Sequence, residues 1–214
     1  MIDIIPAILP RSFEELEEGL RRLHGVAPLV QIDLVGENFL AGKESIPFWQ
    51  DFDFEFDIML PDPAREVEVC VTLGASRIVV HANAASALEA VQFLQQYRTG
   101  DYPLAVGIAL EAHDMPSVLD AFQNLYDYVQ VMGIDHIGRQ GEPPDPHHHE
   151  LLLIAELRTK FPKLLIQVDG AVAPHPRELV QAGASRLVVG SAIVNADNPK
   201  EVHKALYTEA NVGQ

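Results

Sequence analysis

At 214 residues the chain is long enough to bury one sizeable core, and 48% hydrophobic with 21% charged residues is the balance of a soluble globular protein. A formal charge of −16 opposes non-specific binding to nucleic acid or to an anionic membrane. No apolar run is long enough to span a bilayer. The opening Met1-Ile2-Asp3 lacks a basic n-region, and the single Cys70 excludes an intramolecular disulfide, so a cytoplasmic location is expected.

Residues 2–7 are a short apolar run that reads as a first strand. Ser12-Phe13-Glu14-Glu15 fits a capping box, and Phe13, Leu16, Leu20 and Leu23 form one apolar stripe behind it, closed by Gly25. Residues 29–34 form a second buried strand, and 36–52 an irregular connection. A third strand is expected over 54–60, and a helix over about 64–73 with Gly74 just past its end. Strands at 77–81, 104–110 and 128–132 alternate with helices at about 84–97 and 117–125. Proline and glycine make 133–146 a loop. A helix over 147–161, a strand over 164–168, a helix over 174–182, a strand over 186–189 and a helix over 199–207 complete the chain.

Eight strands alternating with helices, with no composition shift to mark a linker, specify a parallel α/β architecture in a single domain spanning 1–214. An internal echo narrows it. Gly74-Ala75-Ser76-Arg77-Ile78-Val79-Val80 recurs as Gly183-Ala184-Ser185-Arg186-Leu187-Val188-Val189, 109 residues later, about half the chain. A closed (βα)8 TIM barrel has reason to show such a repeat; an open sheet does not, and the alternative is chance similarity between two helix-to-strand turns.

The strand Leu165-Ile166-Gln167-Val168 runs into Asp169-Gly170-Ala171, and chemistry in α/β proteins sits at such carboxyl ends. Asp33 and Asp57 lie near two other strand ends, and His81 and Gly190 mark two more. Three carboxylates in one mouth repel one another, so the site needs a cation, a shared proton or solvent. For any one Asp the alternative is a helix cap or a satisfied loop acid. Gly170-Ala171 after the seventh strand and Gly190-Ser191 after the eighth stand where barrels commonly bind phosphate. His147-His148-His149 reads as a solvated helix start, because adjacent side chains on a helix diverge and do not share one ion. Trp49 and the group Phe48, Phe52 and Phe54 read as core or loop anchors.

These motifs resemble the ribulose-phosphate 3-epimerase family over nearly the whole chain. Ile5-Pro6-Ala7-Ile8-Leu9 is similar to that family's opening Pro-Ser-Ile-Leu, Val30-Gln31-Ile32-Asp33 to its His-x-Asp strand, and Phe56-Asp57-Ile58-Met59-Leu60 to its His-Leu-Met strand. Val80-His81-Ala82 matches its fourth-strand His, and Tyr128-Val129-Gln130-Val131-Met132 resembles the strand before its phosphate loop. Gln167-Val168-Asp169-Gly170-Ala171-Val172 is similar to Val-Asp-Gly-Gly-Val, and Val189-Gly190-Ser191-Ala192-Ile193 matches the closing Gly-Ser-Ala-Ile.

The resemblance implies a barrel of the ribulose-phosphate-binding type that interconverts ribulose 5-phosphate and xylulose 5-phosphate through an enediolate. By position Asp33 and Asp169 would be the acid and base. The family's metal is held by two His and two Asp. Here Gln31 and Asp57 stand at the His positions, so the implied set is Gln31, Asp33, Asp57 and Asp169. That all-oxygen set suits Mg²⁺ or Mn²⁺ better than Zn²⁺ or Fe²⁺. Met59 and Met132 match methionines near the substrate, with His81, Gly170, Ala171, Gly190 and Ser191 as further substrate contacts. The loop Ile137-Gly138-Arg139-Gln140-Gly141 lacks the family's Pro-Gly-Phe-Gly-Gly run, but Gly138 and Arg139 can still grip a phosphate.

The function expected is a metal-dependent epimerase or isomerase of a small phosphorylated sugar, with further copies of this chain as the one macromolecular partner left open. Two alternatives stand beside it. One is a catalytically inactive barrel that binds a phosphorylated ligand or a partner protein, suggested by the lost His pair. The other is a different enzyme of the same barrel group, an aldolase-like synthase or decarboxylase. Against it, Asp33 is followed by Leu34-Val35-Gly36, without the Lys of an Asp-x-Lys-x-x-Asp pattern.

Overall fold

Eight parallel strands pair in sequence order, and the last closes on the first, in a computed structural model that describes residues 1–36, 39–100, 103–139 and 141–212. They are β1 Asp3–Ile8, β2 Leu29–Leu34, β3 Asp53–Ile58, β4 Ala75–His81, β5 Ala105–Leu110, β6 Tyr128–Met132, β7 Leu165–Asp169 and β8 Arg186–Val189. This is the (βα)8 barrel that the half-chain echo predicts. Both copies of the echo enter a strand from a glycine with positive φ, Gly74 and Gly183.

Between the strands run α1 Phe13–Leu23, α2 Val67–Thr72, α3 Ala87–Leu94, α4 His149–Lys160, α5 Pro176–Ala182, α6 Ser191–Val194 and α7 Pro199–Ala210. The Ser12 hydroxyl caps α1 by accepting from the Glu15 amide at 3.2 Å, as the capping pattern requires. Two expectations change. The helix expected between β5 and β6 is a 3₁₀ helix, Pro116–Phe122, opened by its proline. The short helix α6, absent from the sequence reading, starts directly after β8 at the barrel mouth.

Outward-facing strand residues (Ile32, Phe54, Phe56, Ile78, Val80, Ile108, Val129, Val168) pack with helix residues such as Leu16, Leu20, Val91, Ile154 and Leu157 into one buried core. The inward faces are different. They carry Gln31, Asp33, Glu55, Asp57, Gln130, Gln167 and Asp169, all buried, with small apolar groups around Ile5, Ala7, Val188, Val79 and Ala109. Because successive strand residues alternate faces, polar residues two apart stand one above the other inside the barrel. The register places Gln31 beside Glu55 and Asp33 beside Asp57, and pairs Gln130 with Gln167.

Tyr128 brings a large side chain into this interior, and its ring occupies the space over Gly107. A Cβ at Gly107 would lie 2.6 Å from the ring. Gly107→Ala is therefore expected to destabilise the fold by roughly 1–3 kcal/mol through overpacking. Urea unfolding of the two proteins checks it; equal midpoints would show that the ring has room to move.

Candidate active site

The barrel's carboxyl end gathers three acids. Asp33 on β2, Asp57 on β3 and Asp169 on β7 each present an oxygen within 4.8 Å of the others. Strand register does this directly, because Asp33 and Asp57 are neighbours across the β2–β3 pair and Asp169 ends β7. Amides hold the carboxylates in place. The Gln31 side-chain amide donates to Asp33 at 2.8 Å and to Asp169 at 3.0 Å. The Gln130 amide donates to Asp57 at 2.7 Å, and the His81 Nε2 lies 3.0 Å from the other Asp57 oxygen. Among the described residues no Lys or Arg forms an ion pair with any of the three.

Burial of like charges sets their chemistry. Loss of solvent, then the charges of Asp169 and Asp57, push the Asp33 carboxyl well above the usual carboxylate range. Loss of solvent and the Asp57 charge push Asp169 up to about 7, against the pull of the Gln31 amide. Burial alone would lower His81, but the charge of Asp57 and the hydrogen bond to it outweigh that and raise it.

Asp33 and Asp169 open onto a cavity of about 240 Å³. Met59, Met132, Gly138, Arg139, Gly170, Ala171, Gly190 and Ser191 line it as well, so the structure brings these expected residues into one place. Gln140 of the same loop lies outside the described residues. The cavity's shape depends on a close approach of the β6 and β7 ends. The Gly133 amide donates to the Asp169 carbonyl at 2.7 Å, and a Cβ at Gly133 would fall 2.3 Å from the Gly170 carbonyl oxygen. Gly170 and Ala171 then turn in the left-handed region, at φ 93° and 50°.

Two expected roles need correction. Gln31 turns its NH₂ group toward Asp33 and Asp169 and its oxygen toward the Gln167 amide, so in this arrangement it meets the acids as a donor. His81 does not line the cavity; it stands behind Asp57 and reaches the site only through it. Asp57 is also enclosed, fully buried with both oxygens accepting hydrogen bonds.

Three supporting residues escape the sequence reading: Gln130, Gln167 and Glu55. The Gln167 amide donates to Glu55 at 2.5 Å, to the Gln130 oxygen at 2.8 Å and to the Gln31 oxygen at 3.3 Å. The Tyr128 hydroxyl donates to the other Glu55 oxygen at 2.9 Å. A signal exists, a repeated Gln two places before the strand's last inward residue in Gln31-Ile32-Asp33, Gln130-Val131-Met132 and Gln167-Val168-Asp169.

The sequence model of the ribulose-phosphate 3 epimerase family matches residues 3–194. The chain belongs to this family. It is 26% identical to the ribulose-phosphate 3-epimerase of Schizosaccharomyces pombe, over 95% of this chain and 91% of that protein. It is also 26% identical to the ribulose-phosphate 3-epimerase of Bacillus subtilis, over 94% and 96%. The solved structure of 3-hexulose-6-phosphate synthase from Salmonella typhimurium superposes with a TM-score of 0.67 at 16% identity, covering 98% of this chain and 98% of that one, and so shares the fold. The family's epimerase activity on a sugar phosphate is the coarse functional frame for the cavity.

The acid cluster has a thermodynamic consequence in metal-free protein. The unfolded chain loses the Asp169 proton near the ordinary value of 3.8, while the folded chain keeps it to about 7. The contribution is full below the first value and is lost as pH rises through the second. Stability of chelator-treated protein should thus fall between these values, by an amount on the order of a few kcal/mol. The raised Asp33 acts in the same direction. Asp169→Asn should make the slope shallower, and thermal midpoints measured across this pH range check it; an unchanged slope would mean that Asp169 ionises normally in the fold.

Proposed function

We propose that the chain interconverts ribulose 5-phosphate and xylulose 5-phosphate, with Asp33 and Asp169 as the acid–base pair and residues 1–214 working as one barrel unit. The observation that carries this reading is that these two carboxyls, of the three, face the cavity, where burial and like charges raise the proton affinity of both. They stand on β2 and β7, separated around the barrel by β1 and β8, and so reach a bound sugar from two sides.

Asp33, whose carboxyl burial and like charges raise well above the usual range, is assigned as the acid in one direction, and Asp169, raised to about 7, as the base. In that direction Asp169 takes the C3 proton and leaves an enediolate, and Asp33 delivers its proton to the opposite face of C3. The reverse reaction exchanges the roles. The Gln31 amide, bonded to both, fixes their separation and stays with whichever is ionised.

The donor set fits a hard divalent cation. Three carboxylates lie within mutual ligand distance, no Lys or Arg among the described residues pairs with them, and two are raised in proton affinity for want of positive charge. Asp33, Asp57 and Asp169 would hold it, and it would supply positive charge to the enediolate oxygens. The oxygen set favours Mg²⁺ or Mn²⁺ over Zn²⁺ or Fe²⁺. The backbone at Gly170-Ala171 and Gly190-Ser191 and the Arg139 guanidinium are assigned to the phosphate. The synthase from Salmonella typhimurium, on the same fold, is named for a phosphorylated sugar, in line with a phosphorylated ligand here.

One observation favours a second reading, a barrel that binds a sugar phosphate without turnover: both Asp57 oxygens are taken by His81 and Gln130. Assay of ribulose 5-phosphate with Mg²⁺ or Mn²⁺ separates the two. The epimerase reading expects xylulose 5-phosphate, a roughly 10²–10⁴-fold loss on Asp33→Asn or Asp169→Asn, and a KM raised roughly tenfold by Arg139→Ala. Phosphate binding with no product under either metal would establish the second.

A further inference from the structure

A second group of ligand-type side chains stands on the barrel rim, apart from the mouth. His148 precedes α4, Glu150 lies in its first turn, and His175 precedes α5. Both helices begin at the carboxyl ends of the strands, after β6 and β7. The His148 Nδ1 is 3.1 Å from Glu150 Oε1, and the His175 Nε2 is 3.3 Å from the same oxygen. The Glu150 side chain is fully buried and that of His175 is 11% exposed, while His148 opens to solvent. The rings of His148 and His175 meet edge-on, with centroids 5.3 Å apart.

Glu150 Oε2 is buried and has no hydrogen-bond partner among the described residues. A buried carboxylate oxygen without a donor is costly. The first turn of α4 favours the negative charge but supplies no donor to this atom. The spacing around the other oxygen of the same carboxylate, Oε1, is a second observation. A tetrahedral ion with arms of about 2.0–2.1 Å has ligand–ligand edges of about 3.3 Å. Both measured nitrogen–oxygen separations match that edge, and two imidazoles with one carboxylate are a zinc ligand set that leaves a fourth position for water.

We propose that His148, Glu150 and His175 form a Zn²⁺ site that ties the loop after β6 to the loop after β7. Those loops carry Arg139 and Ala171 into the cavity, so the ion braces its walls. The site is independent of the epimerase reading. It also resolves the run of three histidines: His148 turns to Glu150, whereas His149 turns to Asp145. The neighbouring group His113, Asp145 and His149 differs in that both Asp145 oxygens already accept backbone amides, from His147 at 2.9 Å and His149 at 3.0 Å.

The test uses chelator-stripped full-length protein, titrated with Zn²⁺ and with Co²⁺ in excess Mg²⁺, with Asp33→Asn reporting any Zn²⁺ held by the mouth acids. One equivalent of Zn²⁺ should bind, Co²⁺ should give the visible absorption of a low-coordinate nitrogen–oxygen site, and Zn²⁺ should raise the thermal midpoint. His148→Gln and His175→Gln, both at solvent-reached positions and checked for fold by circular dichroism, should each weaken Zn²⁺ by at least about tenfold. His149→Gln and Asp33→Asn should leave it in place. Zn²⁺ that persists in both His variants, Zn²⁺ lost with His149→Gln or Asp33→Asn, or no binding at micromolar Zn²⁺ would each overturn the proposal.

Discussion

Negative charge enclosed in a barrel is the constraint on which the interior depends. Four carboxyl groups, Glu55, Asp33, Asp57 and Asp169, point inward from three strands, and all are buried. Each would repel its neighbours strongly at interior dielectric. The barrel answers mainly with amides, which donate without adding charge, and with charge at Arg77, 3.8 Å from Glu55, and at His81 beside Asp57. The direction of those amides is set from below. Glu55 accepts from Tyr128 and from Gln167. With its NH₂ committed there, Gln167 also donates to the oxygens of Gln31 and Gln130. Those two glutamines must then turn their own NH₂ groups upward, to Asp33, Asp169 and Asp57. Reversing Gln31 would set its oxygen against two carboxylates and its NH₂ against another NH₂. A chain of hydrogen bonds thus runs from the barrel floor to the mouth with one polarity. Its cost is visible at Gln167, whose NH₂ serves three acceptors while its buried oxygen has no donor among the described residues.

The same constraint bears on Gln31 and Asp57, the two positions where the sequence resemblance implies imidazole ligands. Replacing two imidazoles by an amide and a carboxylate removes two neutral ligands and adds a negative charge. The added charge is Asp57, and it is not left to the mouth. His81 and Gln130 take one oxygen each, and His81 shifts toward its charged form. Gln31, the other replacement, becomes the strap between Asp33 and Asp169. The cavity therefore faces two acids, Asp33 and Asp169, both raised in proton affinity, in place of three.

Much of this was legible in the residues. Short, largely apolar runs marked most strands, and the repeat of Gly74–Val80 at Gly183–Val189 marked closure, because a half-barrel unit brings its glycine turn with it. What strand ends could not show was direction. A residue at a carboxyl end faces inward, outward or along the rim, and only parity along the strand decides. Gln31 and Asp33, Glu55 and Asp57, Gln167 and Asp169 share parity and all point in. His81 shares it too, but stops behind Asp57 because that carboxylate is the nearer partner. Amide orientation was not legible at all, since it follows from contacts made across β2, β3, β6 and β7. The rim cluster was hidden for a related reason. Three consecutive histidines look like one feature, and only the fold sends His148 and His149 to different acids.

The mouth is built from two kinds of backbone. The acids stand on strands, where eight ladders fix each Cα, so the distance between Asp33 and Asp169 is determined by the barrel itself. The groups assigned to the phosphate stand on loops after β6, β7 and β8. A chain of net charge −16 attracts no anion at long range, so affinity for a phosphate must come from close donors. Backbone amides serve at Gly170-Ala171 and Gly190-Ser191, and Arg139, two-thirds exposed and 3.8 Å from Glu142, is the one Lys or Arg among the described residues lining the cavity. Donors carried by loops hold a phosphate only if the loops hold still, since each ordered side chain or turn costs conformational entropy on binding. Gly133 against Gly170 fixes the base of the loop after β7, and His148, Glu150 and His175 join it to the loop after β6 farther out. Rigidity at the reacting carbon thus comes from the sheet, and at the phosphate it comes from these two contacts between neighbouring loops.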